Sequence, residues 1–218
     1  MFAEPAPTRL DLRFHLFGTP IRIHPMFWAV SAVLGLRLPA VELLVWVAVV
    51  FASIVVHEMG HALAFALFRC RSRVVVYSLG GLTIPESTAG TGALRGWRSA
   101  LVSASGPLAG FCLAGMTFVL LPLVVATSSG LSGALYYHLI WINLVWGAFN
   151  LLPVWPLDGG QVARSLLTAF AGDSGYAAAT VLSLVTSGIG VVVTWQMGLP
   201  LAALFFAYFA LAEWQRSF

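Results

Sequence analysis

The sequence contains no lysine. All 11 basic residues among its 218 are arginines, against 8 acidic residues, and charged residues make up only 9% of the chain. Two cysteines, Cys70 and Cys112, are too few for a disulfide framework and are expected to be free thiols. No low-complexity segment and no repeat is present, which excludes linker-dominated and solenoid architectures. The opening residues include Pro5, Pro7 and Asp11 with no cleavage motif, so they do not read as a signal peptide. Nothing between the apolar stretches is long enough for a separate soluble module of the PDZ or CBS kind, and residues 1–218 are expected to form one domain.

What fills the chain is apolar: 60% of residues are hydrophobic and the mean hydropathy is +0.92. A soluble domain of this length cannot hide that much apolar surface. The fold class expected is an all-α polytopic membrane protein, with the lipid bilayer as its solvent. The arginines give its orientation. Arg9, Arg13 and Arg22 precede the first apolar segment, and Arg69, Arg71, Arg73, Arg95 and Arg98 fall between the second and third. By the positive-inside rule these regions are cytoplasmic. The isoelectric point near 9.2 then reflects topology, and nucleic acid is not expected as a partner.

About six transmembrane helices are expected, over about 25–38, 40–68, 96–126, 134–150, 175–197 and 199–214, which returns the C-terminus to the cytoplasm. Residues 13–24 alternate apolar and polar around Gly18-Thr19-Pro20, and residues 72–85 turn at Gly80-Gly81. Both read as β-hairpins at the membrane surface that join in one small sheet. The first helix, between Pro25 and Pro39, measures roughly 20 Å, short for a span. The run 150–160, with Pro153, Pro156, Gly159 and Gly160, cannot be continuous helix; a further helical stretch near 160–171 follows it.

Against this apolar ground, His57-Glu58-Met59-Gly60-His61 stands out. On a helix His57 and His61 are one turn apart on one face, so both imidazoles can bind one ion. Glu58 lies about 100° round the helix, near enough to take a proton from water activated there. Ionisable residues in hydrocarbon are costly enough to mark a site by default. His57 precedes the cytoplasmic end of its helix by roughly 18 Å, which places the site inside the bilayer and calls for a water path. A catalytic zinc takes three protein ligands and leaves one position open. Among the few carboxylates, Asp158 stands in the broken segment beside glycines, where irregular backbone at membrane depth must line a cavity or be buried. It is the third ligand expected, with capping of the next helix as its alternative duty. Asn143 is a candidate oxyanion donor, with an interhelical hydrogen bond as its alternative, and Asn150 is a second candidate that equally suits bracing the broken segment.

These residues resemble a known family. His57-Glu58-Met59-Gly60-His61, Ser105-Gly106-Pro107-Leu108-Ala109-Gly110, and Phe149-Asn150-Leu151-Leu152-Pro153 through Leu157-Asp158-Gly159-Gly160 are similar to the site-2 protease family of intramembrane zinc metalloproteases. The stretch Gly18 to His24 is similar to that family's N-terminal strand-turn-strand. The resemblance covers about residues 13–170. It implies one Zn²⁺ per chain held by His57, His61 and Asp158, Glu58 as catalytic acid and base, and Asn143 in contact with substrate or oxyanion. It further implies regulated cleavage of single-span membrane proteins, such as anti-sigma factors or membrane-held transcription factors, in a bacterial or archaeal cell membrane. The rival reading from another class is a metal transporter or metal sensor that uses the same ligands without proteolysis; a transporter needs ligands reaching both faces, and the outer half offers Glu42 and His138.

Overall fold

The structure is a computed structural model that describes residues 4–78, 80–86, 94–124 and 130–217. It is mostly helical with one small sheet, and the chain divides into two compact units. One comprises residues 2–91 and 105–147; the other, residues 92–104 and 148–218.

In the first unit, β1 (Leu12–Leu16) and β2 (Thr19–Ile23) form an antiparallel hairpin. Strands β3 (Ser72–Tyr77) and β4 (Gly80–Pro85) form another, and β2 pairs parallel with β3, giving the order β1-β2-β3-β4. Alternation along β2 and β3 explains the pairing. Ile21, Ile23, Val74 and Val76 turn to one face and pack with Phe27 of α1 (Pro25–Leu34) and with Ile54, Val55, Met59 and Ala62 of α2 (Ala40–Leu67). The sheet therefore anchors the C-terminal half of α2. Helix α1 starts with Pro25 at its first position, where the missing N–H costs nothing, and His24 Nδ1 accepts a hydrogen bond from the Met26 amide at 3.2 Å. It stops at Gly35, four residues short of Pro39 and shorter than the expected 25–38. A Cβ at Gly35 would lie 2.6 Å from Leu43 and Trp46 of α2, so the chain turns there because only glycine admits α2 so close. At its other end α2 closes with a Schellman pair, Cys70 N–H to Phe65 O and Arg69 N–H to Ala66 O, with Arg69 in the left-handed region (φ 58) usually taken by glycine.

Helix α3 (Trp97–Val124) contains Pro107 and Pro122, and α4 spans Gly130–Asn150. Helix α5 (Asp158–Gln196) is broken at Gly172, whose φ of 56 and ψ of −132 no helix contains. The break separates the two helical stretches expected near 160–171 and 175–197, without a loop between them. Helix α6 (Pro200–Ser217) packs Phe206 and Phe209 against Val154 and Leu157 in the second unit's core. By length and composition α2, α3 and α5 can cross a membrane. Their lipid-type faces are present: Phe118, Val119, Leu120 and Leu123 of α3 and Val181, Val185, Ile189 and Val192 of α5 are all exposed, a density of apolar surface that water does not tolerate.

Candidate metal centre

His57, Glu58 and His61 sit in the C-terminal half of α2, all buried, and their potential ligand atoms lie within 4.8 Å of one another. Helical spacing alone brings the imidazoles together: His57 Nε2 and His61 Nε2 are 3.2 Å apart, with the rings edge to face. Two imidazoles on one tetrahedral zinc, at about 2.0–2.1 Å per bond, place their nitrogens about 3.3 Å apart. The observed separation therefore suits a shared ion.

Helix α3 supplies the wall opposite. A Cβ built at Gly106 would lie 2.2 Å from His61 Nε2 and 2.8 Å from His57 Nε2. The absence of a side chain there leaves a space facing both nitrogens. A Cβ at Gly60 would in turn meet Ser105 O at 2.4 Å. Two glycines, one on each helix, thus let α2 and α3 cross with backbone nearly touching backbone, as small residues do at membrane helix interfaces.

Strand β4 covers the third side. Residues 81 and 83 share one face of a strand, and both meet Glu58. A Cβ at Gly81 would fall 2.3 Å from Glu58 Cγ. Thr83 Oγ1 donates to Glu58 Oε2 at 2.7 Å and is 3.1 Å from the Glu58 backbone oxygen. Sequence reasoning missed Thr83. Its signal was the phase of the hairpin: Thr83 pairs with Val74 and Gly81 with Val76, so both lie on the sheet face that carries the apolar core and meets α2.

Asn143 is buried in α4. Its Nδ2 donates to Ser53 Oγ on α2 at 2.9 Å and to Leu139 O at 2.8 Å. The amide bridges two helices one turn before His57, with both of its protons engaged. Asp158 is the first residue of α5, buried, in the second unit. Tight folding brings the chain to it: a Cβ at Gly159 would lie 2.1 Å from Leu151 O, and one at Gly160 2.5 Å from the Trp155 nitrogen. Asn150 is buried at the end of α4. Near the start of α2, Glu42 Oε1 and His138 Nε2 pair at 3.1 Å.

The donor set fits zinc rather than a hard cation. Two imidazole nitrogens with carboxylate nearby, and a cradle no side chain fills, suit zinc as they suit other imidazole-bound transition metals; magnesium and calcium call for oxygen ligands.

Comparison with known proteins agrees in kind. The model of peptidase family M50 matches residues 125–193, a segment that includes Asp158. A zinc metalloprotease of Methanocaldococcus jannaschii is 28% identical over 169 residues, covering 74% of this chain and 43% of that protein. Stage IV sporulation protein FB of Bacillus subtilis is 29% identical over 143 residues, covering 65% of this chain and 46% of that protein. The chain thus spans less than half the length of either relative. Among solved structures, a site-2 protease from Methanocaldococcus jannaschii superposes with a TM-score of 0.62 at 20% identity, over 95% of each chain. At that identity the likeness is one of fold.

Proposed function

We propose that the chain, whose residues 125–193 match peptidase family M50, is an intramembrane zinc endopeptidase of the site-2 protease kind. One observation carries the reading. Two imidazole nitrogens 3.2 Å apart stand beside a buried glutamate, on a helix long and apolar enough to cross a membrane.

In this reading His57, His61 and Asp158 hold the metal. Zinc bound there would polarise a peptide carbonyl and make water a nucleophile at neutral pH. Glu58 takes the proton of the attacking water and returns it to the leaving amide nitrogen. Thr83 holds that carboxylate by its hydroxyl. Asn143 would contact substrate by releasing one of the two N–H bonds it now gives to Ser53 and Leu139.

A peptide bond within a helix is shielded by its own hydrogen bonds, so a transmembrane substrate must unwind before it is cut. Strand β4 ends the sheet order, and its outer edge is the template against which an extended substrate segment would pair. Substrates of this class are single-span membrane proteins released by regulated proteolysis, including anti-sigma factors and membrane-held transcription factors. The six helices are proposed to make six crossings, with both termini in the cytoplasm.

The test compares membranes from cells carrying wild-type protein with those carrying Glu58→Gln. A single-span protein should accumulate uncleaved in the variant, while purified Glu58→Gln protein retains zinc. Asp158→Asn should also abolish cleavage, with weakened zinc binding. Unimpaired processing by the Glu58→Gln protein would refute the assigned chemistry.

One observation favours a second reading. Glu42 and His138 pair near the far end of α2, which gives a transporter a second pair of ligands along the same helix. Zinc flux into proteoliposomes that survives Glu58→Gln would support it.

A further inference from the structure

Residues 151–157, which lead into Asp158, form neither helix nor strand. Their shape is imposed from outside. Ser183 Oγ accepts the Trp155 N–H at 2.9 Å, and Phe206 and Phe209 of α6 pack on Val154 and Leu157. The third contact is ionic in origin. Arg216, in the last turn of α6, lays its guanidinium over the Trp155 ring, 4.7 Å from its centroid. Glu213, with no exposed surface, holds Arg216 at 3.2 Å and Arg164 of α5 at 2.5 Å. Both arginines also lie over Tyr176, at 4.9 and 5.6 Å.

We propose that Glu213, Arg216 and Arg164 form a positioning clamp for Asp158, through which the end of the last helix sets the affinity of the metal site. The proposal rests on Asp158 being a ligand. Trp155 and Arg164 flank Asp158 in sequence, three residues before and six after, so one buried carboxylate grips the chain on both sides of it. That grip fixes the rotation of the first turn of α5 and hence the direction of the Asp158 carboxylate. A buried ion cluster is a weak source of net stability, because desolvation offsets most of the attraction. Its geometric effect is larger, since partners that orient a ligand govern metal affinity. In this reading the last helix is a brace with polar anchors.

The experiment uses the full chain purified in detergent. Zinc affinity is measured by competition with a chromophoric chelator, at a temperature where every variant is folded, with melting temperature recorded in parallel. Asp158→Asn establishes the effect of losing the ligand. Arg216→Gln should weaken zinc binding about tenfold and change the visible spectrum of the cobalt-substituted protein, while Arg216→Lys, which keeps the ion pair, should recover part of the affinity. Glu213→Gln should weaken binding at least as much; if it fails to fold, the half-exposed Arg216 decides. Weakened binding in Asp158→Asn with wild-type affinity in Arg216→Gln would overturn the clamp alone. Wild-type affinity in Asp158→Asn would overturn the ligand assignment, and the clamp with it.

Discussion

At the scale of single residues, the centre is made by one hydroxyl and one missing side chain as much as by its ionisable groups. Thr83 fixes Glu58 through a 2.7 Å hydrogen bond. Such a bond to a carboxylate contributes about 1.5–3 kcal/mol, equivalent to roughly tenfold or more in rate if lost only from the transition state. Thr83→Val is therefore expected to lower kcat by about that factor, with KM and bound zinc little changed, and Thr83→Ser to restore most of the rate; steady-state kinetics on a purified membrane substrate with metal analysis checks both. Gly106 is the complementary case. A methyl group there would occupy the space 2.2 Å from His61 Nε2, so Gly106→Ala should bind far less zinc while its helix content, read by circular dichroism, stays the same. The ionisable residues were legible because one helical turn relates them. Thr83 was not, since its bond spans 25 positions from a strand to a helix and no single period connects the two. Gly106 was legible only as part of the motif Ser105 to Gly110. That its closeness is to the imidazoles depends on the rotation of α3, which pattern does not fix.

At the scale of elements, the two hairpins were legible from alternation and turn glycines, and the long apolar helices from hydropathy. The parallel β2–β3 pairing that merges the hairpins needs only their shared apolar face. The break in α5 was less legible. Two helical stretches were expected, but a single residue separates them, because Gly172 adopts φ 56 and ψ −132 and reverses the chain's course without a loop. Gly175 is needed for the same reason: a Cβ there would lie 1.9 Å from Leu167 O. Backbone in that region costs a non-glycine residue about 1–3 kcal/mol, so Gly172→Ala should lower the melting temperature of the detergent-purified protein although open space surrounds the site. The N-terminal strand has its own fastening. The Thr8 hydroxyl and Arg22 hold the Asp11 carboxyl well below its ordinary range, and Arg73 and Arg22 lower that of Glu4. Both groups are depressed in the folded chain, so their contribution is complete above the unfolded values near 4 and fades as pH falls below them. Amide exchange in β1 and β2, corrected for its intrinsic pH dependence, should be unchanged between pH 6 and 8 and accelerate in strong acid.

At the scale of the whole molecule, the open quantity is the number of crossings, and α1 decides it. Helices α2 and α3 have 28 residues each, about 42 Å at 1.5 Å per residue, against a hydrocarbon core of about 30 Å. Helix α1 has 10 residues, about 15 Å, half of that core. With a shortfall of that size α1 completes a crossing only with residues 35–39 extended beyond it or with the bilayer thinned around it. The arginines argue that it does cross, since those before α1 and those between α2 and α3 belong to one side only if α1 and α2 together form a pair of spans. Parity turns this into a measurement. If α1 crosses with α2, α3, α4, the second half of α5, and α6, both termini lie on the cytoplasmic side. If α1 only dips into the membrane and returns while the other five proposed crossings hold, the termini lie on opposite sides. Fluorescent reporters that mature only in the cytoplasm, fused separately to each end, should therefore both be bright, and one dark terminus would show an odd number of crossings, against the proposed six.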